Sequence, residues 1–191
     1  MAYRRHFEGY SEFFDEQGHI QRVYTAEWIC SPLSRAARMR RAFTYFILLA
    51  VSAALWGIAS VAPAAKSAPV YFSALIAAGI PPLFFSAVSL FRLFAAPEKM
   101  TRSAYRDGPV RLKWAALASS ICFAAAFIAA FFHTLFHSAI TFSSVIWSVM
   151  YLISSILAGA VFLAEKRIHY QYLPNENTAL AEQDSVIEID I

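Results

Sequence analysis

Long apolar runs, separated by short polar segments, form the main pattern along this chain. The clearest run, Trp114–Phe136, contains 23 residues and no charged side chain. At about 1.5 Å per residue, a helix of this length crosses a hydrocarbon core of roughly 30 Å. Similar runs predict further spans at about 42–62, 70–95 and 139–164. The sequence therefore predicts an all-α integral membrane protein with a four-transmembrane-helix bundle, residues 42–164, built from two helical hairpins.

The first 30 residues have the pattern of β-strands instead. Tyr10–Phe14 and His19–Ile29 are rich in aromatic and β-branched residues, and the turn-forming segment Asp15–Gly18 lies between them. We therefore predict that residues 1–30 form a small cytosolic β-hairpin-like appendage. An isolated hairpin is marginally stable in water. The last residues, Ile187–Ile191, alternate in the manner of a half-buried strand, and we expect them to pair with the hairpin. The alternative is a disordered acidic tail over residues 165–191.

A basic segment leads into the first span. Ser31 and Pro32 have the residue types of a helix N-cap and a first helical position, so residues 31–41 are predicted to form a juxtamembrane helix. Between the second and third spans, Asp107-Gly108-Pro109 predicts a turn within a loop over 96–113. Basic residues flank the predicted spans, where each cation near an anionic membrane contributes about 1 kcal/mol. We predict contacts with anionic lipid headgroups at Arg35, Arg38, Arg40, Arg41, Arg111 and Lys113.

The distribution of charge predicts the orientation. Of 16 Lys and Arg residues, only Lys66 falls in a predicted external loop. Because cytoplasmic loops carry an excess of Lys and Arg, both termini are predicted to be cytosolic, in the cytoplasmic membrane of a bacterium. Only 15% of the residues are charged, and the polar segments are too short for a large soluble domain. Nucleic acid is not an expected partner.

The second predicted span contains a helix-breaking segment. Gly79 precedes Pro81 and Pro82, and a proline has no N–H to donate to the preceding turn. The carbonyls of Ala77 and Ala78 therefore lose their helical partners. Such carbonyls can form a hinge or coordinate a cation, and more often they belong to a bend that packs against neighbouring helices.

Small and polar residues mark faces of the third and fourth spans. A repeat of four residues predicts close helix packing, either within the chain or between copies, at Ala118, Cys122, Ala126 and Ala130. The fourth span carries serines at 143, 144, 148, 154 and 155. These serines predict hydrogen bonds within and between helices, with a polar path for a solute as the alternative. We predict that both cysteines, Cys30 and Cys122, are free thiols.

No strong signal for chemistry is present in the sequence. His133 and His137 lie four residues apart, so one helix face carries both, as a metal site requires. Two ligands do not complete such a site, so these histidines are weak candidates and no cofactor is predicted. None of the 13 Asp and Glu residues falls inside a predicted span, which argues against proton- or cation-coupled transport.

The sequence therefore predicts a non-enzymatic multispanning membrane protein that acts as an accessory, scaffold or assembly subunit. Its expected partners are the lipid bilayer and either further copies of the chain or another membrane protein. The alternative is a small transporter or channel that uses the interrupted second span and the serines of the fourth. An enzyme that acts on lipid is the third hypothesis, with no catalytic residue identified.

Overall fold

The computed structural model describes residues 9–14, 19–61, 70–137 and 142–175. It confirms a mostly helical chain with four long apolar helices and a small sheet. Within the described residues, four helical segments are long and apolar enough to cross a membrane, and they are Arg35–Val61, Phe72–Ala95, Arg102–Phe136 and Phe142–Lys166.

The first long helix is α1, Arg35–Val61. It includes both the basic segment and the first apolar run, so the separate helix predicted over 31–41 is wrong. The predicted cap is also wrong, because the hydroxyl of Ser34, not of Ser31, accepts a hydrogen bond from the Ala37 N–H at 3.4 Å. The Ser31 hydroxyl instead accepts from the Leu33 N–H in the preceding turn.

The second apolar run forms two helices, α2 (Val70–Ala78) and α3 (Ile80–Ala95), with Gly79 between them. Pro81 and Pro82 lie in the first turn of α3, where a missing N–H removes no intrahelical hydrogen bond. The chain therefore breaks just before the prolines.

The segment predicted as a loop with a turn at Asp107-Gly108-Pro109 is helical. A short helix α4, Arg102–Tyr105, continues through a π-helical turn, Arg106–Val110, into the long helix α5, Arg111–His137. The Thr101 hydroxyl caps α4 by accepting from the Ala104 N–H. Pro109 has no N–H to donate, and the wider π-turn accommodates it inside the continuous helix.

The last long helix is α6, Phe142–Lys166. It packs against α5 and α1, while α3 packs against α5 and α1. The apolar interior has two parts. One contains Ala42, Tyr45, Leu49, Leu90, Leu93, Leu112, Ala116 and Val161. The other contains Ala59, Phe72, Ala126, Ala130, Trp147 and Tyr151.

Five short strands lie outside the helices. Strands β1 (Tyr10–Phe14) and β2 (Ile20–Tyr24) pair antiparallel, within the segment predicted as a hairpin. The single strand predicted over His19–Ile29 is wrong, because a bend at Ala26 separates β2 from β3 (Trp28–Cys30). Strand β3 lies in a second sheet, between β4 (Lys99–Met100) and β5 (Gln171–Leu173), and both pairings are antiparallel.

The second sheet joins three segments that are distant in the sequence. It brings the segment before α1, the segment after α3 and the segment after α6 to the same end of the helices. Ile29 and Met100 pair at its centre and are almost completely buried. The strand predicted at Ile187–Ile191 lies outside the described residues.

Candidate functional site

A buried ion pair lies at the end of the helices that carries the second sheet. Arg41 belongs to the second turn of α1 and Glu165 to the last turn of α6. Their side chains are 11% and 2% exposed, and the Arg41 Nε lies 3.9 Å from the Glu165 Oε2. A buried charge without a partner is strongly destabilising, so each side chain compensates the other.

Tyr170 connects the two charges. Its hydroxyl donates a hydrogen bond to the Glu165 Oε1 at 2.7 Å and accepts one from the Arg41 Nη2 at 3.4 Å. Tyr170 immediately precedes β5, so the contact fixes the segment after α6 to both α1 and α6. The ring of Tyr105, from α4, packs edge-on against the Tyr170 ring at a centroid distance of 4.8 Å.

The cluster of Arg41, Tyr45, Tyr105, Glu165 and Tyr170, called here the ionic cluster, contains further polar atoms. Within the described residues, no hydrogen-bond partner reaches the Arg41 Nε and Nη1, the Tyr45 hydroxyl or the Glu165 Oε2. The Arg41 guanidinium carbon lies 5.9 Å from the centre of the Tyr45 ring, a distance at which cation–π attraction operates. Bound water would satisfy these atoms, since the site is polar on several sides.

Electrostatics keeps Tyr170 protonated. Burial, followed by the negative charge of Glu165, raises the pKa of Tyr170 well above its ordinary value of 10.0. The neutral hydroxyl can then donate its proton to the carboxylate. The chemistry of the ionic cluster is therefore a structural one, in which a neutral donor and a cation together stabilise one buried anion.

Serine hydroxyls join the helices near the middle of the molecule. The Ser120 hydroxyl donates to the Ser155 carbonyl, and the Ser155 hydroxyl donates to the Ser120 carbonyl, each at 2.9 Å. The Ser52 hydroxyl on α1 donates to the Ser154 carbonyl at 2.8 Å. Gly159 permits the close approach of α5 and α6, because a Cβ there would lie 3.1 Å from the Ser120 Oγ.

Two further serines differ from these. Ser86 and Ser89 on α3 are buried, and their hydroxyls have no hydrogen-bond partner within the described part of the chain. They lie along the helix that follows the break at Gly79. Among the predicted serines of α6, Ser148 and Ser154 donate to carbonyls of their own helix, and Ser143 is exposed.

The break at Gly79 packs tightly against α5. The Cys122 thiol donates to the Ala78 carbonyl at 3.6 Å, so one of the carbonyls released by the prolines has a protein partner. A Cβ on Gly79 would lie 3.1 Å from the Phe123 ring and 3.4 Å from the Trp56 Nε1. The predicted hinge residues Gly79, Pro81 and Pro82 thus lie in a bend packed against its neighbours.

The predicted packing face on α5 divides between two surroundings. Ala126 and Ala130 are fully buried against Ala59, Phe72 and other residues of the same chain. Ala118 is half-buried, and Cys122 contacts α2. The two buried alanines are therefore covered within one chain and offer no surface to a second copy. Both Cys30 and Cys122 are free thiols.

The six basic residues predicted to bind lipid headgroups have different environments. Arg41 belongs to the ionic cluster, and Arg111 forms an ion pair with Asp107 at 3.2 Å. The same aspartate pairs with Arg92 at 2.6 Å. The Lys113 ammonium lies 5.4 Å from the centre of the Trp114 ring. The other three are on α1, where Arg35 and Arg40 are exposed and Arg38 is half-buried.

His133 and His137 both belong to α5, and the side chain of His137 lies outside the described residues. His133 is half-buried near the end of α5 that is opposite to the ionic cluster. Within the described ranges, no group of three or more His, Cys, Asp or Glu side chains is arranged to hold a metal ion. The pair remains an incomplete ligand set.

Glu165 is the residue that sequence reasoning missed. The charged triplet that begins with Glu165 was read as the end of the fourth span, but α6 continues through Lys166. A periodic signal was present. The buried positions of α6 recur at intervals of four and three residues, and Glu165 continues this series: Trp147, Tyr151, Ser154, Ala158, Val161 and Glu165.

Comparison with known proteins gives no relative for this chain. No protein-family model, curated protein or solved structure matches it.

Proposed function

We propose that this chain is a non-enzymatic multispanning membrane protein that acts as an accessory, scaffold or assembly subunit. It lies in the cytoplasmic membrane of a bacterium, with both termini in the cytosol. The observation that carries the proposal is the second sheet, β4-β3-β5, in which three polar segments combine at one end of the apolar helices. A rigid platform of this kind is suited to holding a partner beside the membrane.

Membrane insertion is supported by the outer surfaces of the helices. Large apolar side chains are exposed there, including Phe43, Phe84, Phe91, Phe132 and Ile156. Exposed apolar surface of this extent is costly in water and favourable in lipid. The Lys and Arg residues of the described loops and helix ends lie at the end that carries the platform, which supports a cytosolic location for it.

The orientation is tested by cysteine labelling in intact cells. In a background with Cys30→Ser and Cys122→Ala, Lys66→Cys is expected to react with a membrane-impermeant maleimide. The matched control, Lys166→Cys at the exposed end of α6, is expected to react only after permeabilisation. The reverse pattern would place the platform outside and contradict the proposed orientation.

The role as an assembly subunit is tested by affinity purification of the tagged full-length chain from its native host in mild detergent. We expect a membrane protein to be recovered in stoichiometric amount. Tyr172→Ser, at a side chain of β5 that is 59% exposed, is expected to reduce this recovery. Ile156→Ala, on the apolar outer face, serves as the control. Recovery of the chain alone, together with solute flux in proteoliposomes, would contradict the role.

The second candidate is a small transporter or channel, and the observation that favours it is the pair of buried hydroxyls at Ser86 and Ser89. Hydroxyls without a protein partner in α3 could contact a passing solute or water. The reciprocal Ser120–Ser155 bonds favour packing at the other serine face. Flux into proteoliposomes that is reduced by Ser86→Ala and Ser89→Ala, but not by Ser148→Ala, would favour this candidate.

A further inference from the structure

A cleft of about 410 Å³ opens between the start of α1 and the end of α3. Its basic wall is formed by Arg35 and Arg38, and its apolar wall includes Met39 and Leu93. Glu98 also lines the cleft. The formal charge of these side chains is +1, which is complementary to a ligand with one negative charge.

Arg38 is held in a fixed position within the cleft. Its Nη1 donates to the Pro97 carbonyl, in the segment after α3, at 2.6 Å. A guanidinium has five N–H donors in a planar fork, so one donor can hold the side chain while others bind a phosphate. Arg35 lies one turn earlier on the same face of α1 and is exposed.

An apolar stripe leads away from the basic wall along α1. Arg35 is followed at helical spacing by Met39, Phe43 and Ile47, whose side chains are 47%, 58% and 46% exposed. One face of the helix therefore changes from basic to apolar within a single turn. A phospholipid has the same sequence of chemistry, with a phosphate followed by a hydrocarbon chain.

We propose that this cleft is a specific binding site for one anionic phospholipid of the cytosolic leaflet, with the phosphate on Arg35 and Arg38 and an acyl chain along Met39, Phe43 and Ile47. The inference rests on the proposed membrane location and goes beyond it, because it separates these two arginines from the other basic residues. Arg41 and Arg111 are already engaged with carboxylates in the same chain.

The test is native mass spectrometry of the full-length protein in mild detergent, titrated with palmitoyl-oleoyl-phosphatidylglycerol. We expect one tightly bound lipid, and the double variant Arg35→Gln and Arg38→Gln should weaken its binding about tenfold or more, as expected for charge-assisted hydrogen bonds. Arg40→Gln makes the same change in charge at an exposed position of α1 that does not line the cleft. It should change binding less than about twofold.

Two further arms identify the ligand. Glu98→Gln removes the negative side chain of the cleft and should strengthen binding of the anionic lipid. Weaker binding in this variant, or equal binding of phosphatidylethanolamine by the wild type, would overturn the assignment to an anionic headgroup. Competition by millimolar inorganic phosphate at the affinity of the lipid would show that the site binds free phosphate instead. Equal loss of affinity in the Arg40→Gln variant would show non-specific attraction to the basic end.

The outcome is separable from that of the proposed function. Reversed cysteine labelling would overturn the orientation without changing lipid binding in detergent. Loss of the lipid-binding difference between the double variant and Arg40→Gln would overturn the cleft assignment and leave the orientation and the partner experiments unaffected.

Discussion

Tyr170 donates a hydrogen bond to Glu165 at 2.7 Å, and through this contact the segment after the last helix is fixed to a buried charge. Arg41 lies on the other side of the tyrosine hydroxyl. Arg41 precedes Ser52 by eleven residues and Glu165 follows Ser154 by eleven, and Ser52 and Ser154 are themselves hydrogen bonded. The antiparallel helices α1 and α6 therefore carry their charges at the same level, roughly 16 Å from the serine contact.

The ion pair predicts strongly non-additive stability effects. Glu165→Leu leaves the buried Arg41 charge without compensation and should lower the free energy of unfolding by about 3 kcal/mol. Arg41→Met should have a similar effect for the converse reason. The double variant should be less destabilised than either single variant, because no charge remains buried. Thermal unfolding in detergent measures all three, and additive losses would contradict the pairing.

The protonation of Tyr170 predicts instability in alkali. Because its pKa is raised in the folded protein, the contribution of Tyr170 to stability is complete below the unfolded pKa of about 10 and is lost as the pH rises further. The unfolding temperature of the wild type should fall more steeply above pH 10 than that of Tyr170→Phe. Tyr172→Phe, at an exposed tyrosine of β5, should follow the wild type. Identical pH profiles for all three proteins would argue against this role.

The bend at Gly79 predicts a cost for a single methyl group. Gly79 has an ordinary right-handed backbone conformation, so alanine introduces no backbone strain there. Its Cβ would nevertheless lie 3.1 Å from the fully buried Phe123 ring, which has little space to move. Gly79→Ala should therefore be less stable than Gly57→Ala by about 1 kcal/mol or more.

Gly57 is the matched control for that comparison. It lies in the interior of α1, and a Cβ there meets nothing within 4 Å. Gly57→Ala should therefore raise the unfolding temperature through helix propensity alone. If both variants become more stable by the same amount, the packing of the bend is looser than the structure indicates.

Asn175 predicts a link between the segment after α6 and the strands before α1. Its side-chain amide donates to the carbonyls of Tyr24 and Ala26 at 2.6 and 3.2 Å, at the bend between β2 and β3. Asn175→Ala leaves these carbonyls short of donors and should destabilise the bend by about 1–3 kcal/mol. Limited proteolysis should then cut the first 30 residues faster.

Deletion of Ile187–Ile191 is the control for this experiment. The hypothesis that these residues add a strand to the hairpin predicts that their deletion also accelerates cleavage. Faster cleavage in Asn175→Ala and unchanged cleavage in the deletion would assign the contact to Asn175 alone. Unchanged cleavage in both variants would contradict the structural role given to Asn175.

The sequence predicts the four long helices well because their apolar length is a local property. It predicts the break near Pro81 for the same reason, since proline acts on its own turn. The ionic cluster depends on residues that are far apart in the chain, Arg41 and Glu165 among them. Charge at a helix end is usually solvated, so only the periodicity of α6 indicated that Glu165 is buried.

The second sheet could not be predicted from local pattern. Its strands have two or three residues each, too few to show an alternating pattern. Their pairing is set by the helices that separate them, and the favoured conformation of each segment depends on the other two. The hairpin strands β1 and β2 are close in sequence and have five residues each, and their pattern is visible.

The position of β3 at the centre of its sheet has a consequence for biosynthesis. A ribosome makes Trp28–Cys30 early, whereas the flanking strand Gln171–Leu173 appears only after every long helix has been synthesised. The N-terminal strand therefore waits, with one edge unpaired, until the whole helical part has emerged from the ribosome. A truncated or misinserted chain retains that open edge, which quality-control proteases and chaperones can recognise.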